Sequence, residues 1–421
     1  MKKILKSQKN KYISAKKKIF LSWLGVVLCV LAIFLVVPIA RTVRNFVETT
    51  WSASLFGYFV LIFVSAAFLA GLYLFWFRLN IRALSNYMWL AVVAVVYIIF
   101  TLRLWERPEE AIHFLEYGLL GILLYFALRN HYSDKGIFII AFIIGALVGI
   151  FDEALQWMIP RRVWDFRDLG LNALSVGLCQ IAIWKGVKPD LQNIQIRSRS
   201  IRTISWLLSV YLILFGLCFS NTPDRVHSYT KRWPFLSFLG KEEPMNEYKH
   251  KHSDPEIGVF FSRLSLDEIA RTDRERAEEY GRIFAEWTSK KYNDFLIYFP
   301  GYARPFLHEM RVHVFRRDRM FGLAQQADDK KEKEKYWFIA YKENMILEKY
   351  YGNTLKASPY RWPEKRTARI GTQIDPSSFY KSPVSAASPI PLRENAIWAI
   401  ILFLIGGLVF LNIRLSARAR R

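Results

Sequence analysis

The sequence predicts an α-helical multi-pass membrane protein of about eight transmembrane helices, with a small extracytoplasmic α+β domain inserted before the last helix. Three observations predict it. The 421 residues are 52% hydrophobic and fall into repeated apolar runs of about 17–25 residues, the length needed to cross a hydrocarbon core. The formal net charge of +23 is gathered in short basic blocks beside those runs. That is the pattern of topology signals, and it argues against a nucleic-acid-binding face. Finally, one long polar stretch, about Ser220 to Arg393, interrupts the apolar pattern late in the chain.

In order, the candidate spans are Phe20–Ala40, Leu55–Phe77, Tyr87–Leu104, Ile112–Leu128, Gly136–Met158, Leu169–Trp184, Thr203–Phe219 and Ala396–Ile413. The first follows Lys2, Lys3, Lys6, Lys9, Lys11, Lys16, Lys17 and Lys18 but is too long for a signal-peptide core and lacks an A-x-A site, so a retained helix is expected. These lysines set the N-terminus inside. Alternation then places Arg78, Arg82, Arg129, Lys135, Lys185, Lys188, Arg197, Arg199 and Arg202 inside, with the tail Arg414, Arg418, Arg420 and Arg421. Both termini are therefore expected in the cytoplasm, and the protein in the inner or plasma membrane. Three basic groups break the rule and fall outside: Arg41 with Arg44; Arg103 with Arg107, beside Glu106, Glu109 and Glu110; and Arg161, Arg162 and Arg167. Exceptions of this kind mark places to look for function.

The chain divides accordingly into 1–102 (the first three helices), 103–185 (helices four to six), 186–219 (a basic cytoplasmic loop and helix seven), 220–393 (the insert) and 394–421 (the last helix and basic tail). Within the insert, Ser265-Leu-Asp-Glu268 reads as a capping box opening an amphipathic helix Leu266–Trp287. The alternation of "EMRVHVF" (Glu309–Phe315) predicts a strand, and "YWFIAY" and "MILEKYY", joined by Lys342-Glu343-Asn344, predict a hairpin. Asp328–Lys335 reads as a charged loop, His250-Lys-His252 as part of another, and Asp375–Leu392, with Pro376, Pro383, Pro389 and Pro391, as an extended tether. All three cysteines (Cys29, Cys179, Cys218) lie in apolar runs, so no disulfide framework is implied for the insert.

The chemistry-bearing residues gather where helices four, five and six meet the outer surface. His113, Glu116 and Tyr117 share one face of helix four by i,i+3 and i,i+4 spacing. Asp152 and Gln156 share a face of helix five, with Glu153 adjacent, and Asp165, Asp168 and Asn172 step into helix six. Charges beside hydrocarbon cost several kcal/mol unless paired or hydrated, so the cluster reads as one functional layer.

The same residues resemble the VanZ-like family of membrane proteins. "HFLEYGLLGILL", "DEALQ" and "R-x-x-D-F-R-D-L-G-L-N-A-L" (Arg162 to Leu174) match its His-containing helix start, its D-E-x-x-Q helix end and its R-x-x-D-x-x-D-x-x-x-N turn. The resemblance covers about Arg103 to Trp184. Where many relatives carry Gly after the Pro of the outer turn, this chain has Arg161. The family is named for a teicoplanin-resistance protein, so the resemblance implies an envelope role, linked to glycopeptide resistance, without supplying a reaction.

Two classes of function follow from the cluster. As an enzyme, the protein would use His113, Asp152 or Glu153 as general acid and base. Glu116, Tyr117, Gln156, Arg162, Asp165, Arg167, Asp168 and Asn172 would bind ligand, the arginines clamping phosphate or carboxylate. As a non-catalytic scaffold or transporter, it would use the same groups as a helix clamp or proton relay. No cofactor is required. One histidine is thin for zinc, and calcium or magnesium would suit the oxygen-rich set better. Expected partners are membrane lipids or lipid-linked envelope precursors, with no nucleic acid and no identifiable protein partner for the insert. In "FLHEMRVHVFRRD", His308 and His313 are five apart, not the four that H-E-x-x-H requires, so no metalloprotease is expected there.

Overall fold

The computed structural model describes residues 2–105, 107–159, 162, 164–189, 191, 195–241, 244–385 and 392–418, and Glu106 and Arg161 lie outside them. The chain forms two compact units, one of residues 1–218 and 395–421 and one of Phe219–Glu394.

The first unit is helical. Its elements are α1 (Lys2–Thr50), α2 (Ser54–Tyr73), α3 (Leu84–Arg103), α4 (Ile112–Leu128), α5 (Gly136–Trp157), α6 (Phe166–Ile181) and α7 (Ser198–Ser220), together with the chain's last helix, Glu394–Arg418. Among the described residues, seven helices are long and apolar enough to cross a membrane. The predicted sixth span is not one of them. It is the 16-residue α6, continued by a six-residue π-helical turn, Ala182–Val187. The first helix runs well past its predicted ends, through Pro38 to Thr50, which carries Arg41 and Arg44 on continuous helix.

Packing in this unit centres on α4, α5 and α6. Tyr117, Leu120, Leu124, Ile137, Ala141 and Val176 are buried together, with Val26 and Ile33 of α1 against them. Small residues permit the close approach: a Cβ at Gly145 would stand 2.6 Å from Val176 Cγ2. Side-chain hydrogen bonds to backbone carbonyls act as interhelical glue, Ser175 Oγ to Phe114 O at 3.0 Å and Gln180 Nε2 to Gly121 O at 2.9 Å. On the outward faces, Leu35, Ile62, Phe77 and Phe403 stay exposed, as residues meant for lipid would.

The second unit contains α8 (Pro223–Arg232), β1 (His250–Asp254), β2 (Gly258–Ser262), α9 (Leu266–Glu275), α10 (Ala277–Glu286), α11 (Tyr292–Tyr298), α12 (Pro305–Gln326), α13 (Lys330–Tyr350), α14 (Gly352–Ala357), α15 (Glu364–Gly371) and β3 (Tyr380–Lys381). The helix that closes the chain, Glu394–Arg418, is α16. The sheet has the order β1-β2-β3, antiparallel then parallel. At Gly258, φ is 116° and a Cβ would come within 2.1 Å of Tyr380 O, so only glycine allows β3 to pair there.

Several local expectations for this unit are overturned. "EMRVHVF" is not a strand but lies within α12, and the predicted hairpin is the single helix α13. The buried positions explain both errors. In α12 they are Phe306, Leu307, Met310, His313, Val314 and Arg317, and in α13 Ala340, Glu343, Asn344 and Leu347, each set at helical spacing. Part of each inward face is polar, so the apolar residues alone show a false period of two. Asp328–Lys335 is not a loop: Asp329 caps α13, accepting from Glu332 N at 3.0 Å, and the helix begins at Lys330. His250-Lys-His252 lies in β1 rather than in a loop.

The capping box at Ser265 and Glu268 is present as expected. The helix it opens breaks at Arg276, giving α9 and α10 instead of one element. The break lets two anchors meet α14. Asp273 accepts from Asn353 N and Thr354 N, both at 2.9 Å, while Gly281 packs against Ala357. The predicted tether contains β3, and its residues 386–391 lie outside the described ones.

Candidate functional site

α4 and α5 present their polar residues inward because their remaining faces are apolar, and the turn after α5 folds back over the gap. Asp165 caps α6, its carboxylate accepting from Arg167 N at 2.7 Å, which turns the chain into the helix and brings Asp168 into its first turn. A cavity of about 520 Å³ lies between α1, α2, α4, α5 and this turn.

Seven of the expected residues line it: His113, Glu116, Asp152, Gln156, Arg162, Asp165 and Asp168. Four others are placed behind or beside it. Tyr117 is fully buried and donates from its hydroxyl to Asp152 Oδ2 at 3.0 Å. Glu153 is buried, with Gln156 Nε2 donating to its Oε1 at 3.1 Å and Asp165 N to its Oε2 at 3.5 Å. Arg162 in turn donates to Gln156 Oε1, closing a chain that runs from the residues after α5 back into that helix. Arg167 sits on an exposed rim, donating to both Glu110 carboxylate oxygens at 2.6 Å and lying 3.7 Å from Asp165. Asn172 is buried against Gly149, where a Cβ would stand 3.2 Å from Asn172 Cβ.

The polar groups therefore fall into two sets. Glu153, Gln156 and Arg162 satisfy one another and tie the turn to α5. Elsewhere the buried polar atoms Asp152 Oδ1, Asp168 Oδ1, His113 Nδ1 and both Asn172 side-chain ends have no hydrogen-bond partner among the described residues, though Arg167 Nε lies 3.9 Å from Asp168 Oδ1. Buried polar groups normally find partners, so acceptors and donors left open at a cavity are what a polar ligand would use. His113 Nδ1 does lie 3.4 Å from Glu116 Oε2, within ion-pair range.

Spacing arguments within α4 to α6 missed Arg41, Arg44, Arg107, Glu109 and Glu110, which also line the cavity. Arg44 bridges Glu48 at 2.7 Å and Glu109 at 3.0 Å, and Arg107 meets Glu110 at 3.4 Å. A signal existed: the three groups that broke the positive-inside rule each supply an arginine to this one cavity. α1 supplies Ile33, Val36, Val37, Ile39 and Val43 beside its own Arg41 and Arg44. The cavity thus has a lining both aliphatic and charged.

Residues 20–185 match the VanZ/LLP1 family model. The match starts upstream of the motif resemblance and takes in α1 to α3, so Arg41 and Arg44 fall within the VanZ-like segment. The family match of this segment and the seven apolar helices together support a VanZ-like membrane protein. No curated protein and no solved structure matches the chain.

Outside the VanZ-like segment, the histidines of α12 form no comparable site. His313 is buried with its Nδ1 2.5 Å from Glu343 Oε2, and His308 Nδ1 contacts Phe299 O at 2.9 Å. Burial opposes the charge of Glu343, but His313 and hydrogen bonds from His313, Tyr380 and Ser382 outweigh it and hold the carboxyl below its ordinary range. Among the described residues, no three His, Cys, Asp or Glu side chains converge in a metal-holding arrangement.

Proposed function

We propose that the VanZ-like segment binds the headgroup of a lipid or lipid-linked envelope component in the cavity between α1 and α5. The observation that carries the reading is the mixed lining of the cavity, aliphatic and basic together. A ligand there meets aliphatic residues of α1, the guanidinium groups of Arg41 and Arg44 on that same helix, and those of Arg107 and Arg162. Guanidinium groups suit phosphate or carboxylate. Asp152 Oδ1 and Asp168 Oδ1, which accept no hydrogen bond from the described residues, suit hydroxyl, amide or ammonium donors. An amphiphile whose head carries both an anion and hydrogen-bond donors, as a lipid-linked sugar phosphate does, meets every one of these demands. His113 and Asp152 are the proton-handling groups the site offers to a reacting head.

Glu153 and Gln156 act in this reading as the clamp that holds the floor in shape, and Arg162 serves both roles, tied to Gln156 and lining the cavity. The basic blocks support a cavity on the extracytoplasmic side, termini in the cytoplasm, and the insert outside. A cavity so oriented would meet envelope lipids from without, in keeping with a role in glycopeptide susceptibility.

The test pairs Asp152→Asn with Arg162→Lys in the full-length protein. Asp152→Asn removes a charge at constant size, and Arg162→Lys keeps the charge but loses the planar fork. The expected outcome for Asp152→Asn is at least a tenfold loss of lipid-headgroup binding with an unchanged thermal midpoint in detergent. Arg162→Lys should lose both binding and some stability, because Arg162 also ties down Gln156. Full binding by both variants would refute the site.

A further inference from the structure

The segment that follows α7 has a place and a surface that the cavity does not account for. α8 begins at Pro223, three residues beyond Ser220, the end of α7, and is followed by a 3₁₀ stretch, Pro234–Lys241. Val226 and Leu239 are buried, whereas Trp233 is 48% exposed, Phe235 75% and Phe238 41%. In a 3₁₀ helix residues three apart eclipse, so Phe235 and Phe238 stand on one face. Lys231 and Arg232 beside them are exposed as well.

An ion pair ties this segment to the first residue of α16, and hydrogen bonds from the segment and from the chain that follows it reach the end of α7 and the residue after it. Arg225 Nη2 lies 3.0 Å from the carboxylate of Glu394, the first residue of α16. Tyr229 donates to Asn221 Oδ1 at 3.0 Å, and Asn246 and Tyr248 donate to Phe219 O at 3.0 and 3.1 Å. α7 and α16 themselves run side by side, for a Cβ at Gly216 would stand 2.7 Å from Ile401 and 3.0 Å from Trp398. The exposed aromatics therefore follow the end of α7 closely along the chain, in a segment held by Arg225 to the first residue of α16.

We propose that Pro223–Lys241 lies on the membrane surface, with Trp233, Phe235 and Phe238 inserted among the headgroups of the bilayer that α7 and α16 cross. Continuity with those two helices selects lipid over a protein partner: the bilayer is the surface already present at that depth. The residue types agree. Tryptophan and phenylalanine next to basic side chains form the usual interfacial belt, the rings buried among acyl-chain ends and Lys231 and Arg232 reaching phosphates. The segment then acts as a foot, holding both ends of the inserted unit at the bilayer. This inference rests on the membrane character of α7 and α16, not on what the cavity binds.

The experiment uses full-length protein in phosphatidylcholine–phosphatidylglycerol nanodiscs, with Cys29, Cys179 and Cys218 replaced by alanine. A spin label is attached at Phe235→Cys, at Phe238→Cys or, as an aqueous reference, at Lys330→Cys. Power saturation compares collision with oxygen, which partitions into lipid, and with a water-soluble nickel chelate. The expected result is a several-fold excess of oxygen over nickel accessibility at 235 and 238, and the reverse at 330. Labels at 235 and 238 that match 330 would overturn the proposal. So would labels shielded from both quenchers, since they would be covered by protein.

Discussion

Arg44 on α1 lies 3.0 Å from Glu109 at the entrance to α4, so a helix more than sixty residues upstream in sequence reaches the cavity's polar wall. The contact is half-exposed, and pairs of that kind contribute about 1 kcal/mol or less to stability. Its greater consequence is placement, since it sets a guanidinium at the cavity mouth. Replacing Arg41 and Arg44 together by glutamine should leave the thermal midpoint nearly unchanged and weaken binding of an anionic lipid headgroup by about tenfold or more. Thermal melts and headgroup-binding titrations of one detergent preparation check both halves. Wild-type affinity in the double variant would remove α1 from the site.

The side of the membrane is open to a direct measurement. With the three native cysteines replaced, a reporter at Ala327→Cys should react with a membrane-impermeant maleimide in intact cells whose outer membrane, where one exists, has been permeabilised. Reaction only after lysis would place the inserted unit inside and reverse the proposed orientation.

The inserted unit should be most sensitive at its buried ion pair. Glu343 accepts from His313, Tyr380 and Ser382, and Arg316 lies 3.1 Å from the same carboxylate. Glu343→Ala would leave those donors unpaired and should destabilise the unit by about 3–5 kcal/mol. Denaturant unfolding of Phe219–Glu394, expected to be cooperative in isolation, reads this as a lower midpoint at unchanged slope. A loss under about 1 kcal/mol would show that the network contributes little net stability.

Acid should weaken the same unit through Asp254. Burial works against its charge, but hydrogen bonds from Lys349 and Tyr350 and from the amides of Glu256 and Ile257 prevail and lower its pKa to about 2. A carboxylate depressed in the folded state stabilises fully above its unfolded value, about 4, and loses that contribution as pH falls towards about 2. Asp254→Asn should therefore be less stable than wild type at neutral pH, with the gap narrowing across that window. Parallel stability curves for the two proteins from pH 4 to pH 2, taken as about those values, would rule the linkage out.

What sequence alone determined is governed by one-dimensional physics. Apolar length decided that the helices are membrane-grade, because the threshold for crossing hydrocarbon depends on a run of residues and little else. The capping box at Ser265 and Glu268 was legible for the same reason: donor and acceptor sit three residues apart, and the contact closes within one turn. The motifs from His113 to Asn172 carried the family resemblance and named most of the cavity's polar wall. Tertiary structure alone decided the rest. α12 and α13 could not be read as helices because His313, Arg317, Glu343 and Asn344 occupy their inward faces, and a polar residue looks buried only once its partner on another element is in place. Likewise, Arg41 and Arg44 stood out in sequence only as charges on the unexpected side. That they share a cavity with Asp152 and Arg162 follows from how α1 packs across α4 and α5, and a long-range packing choice leaves no local pattern in the chain.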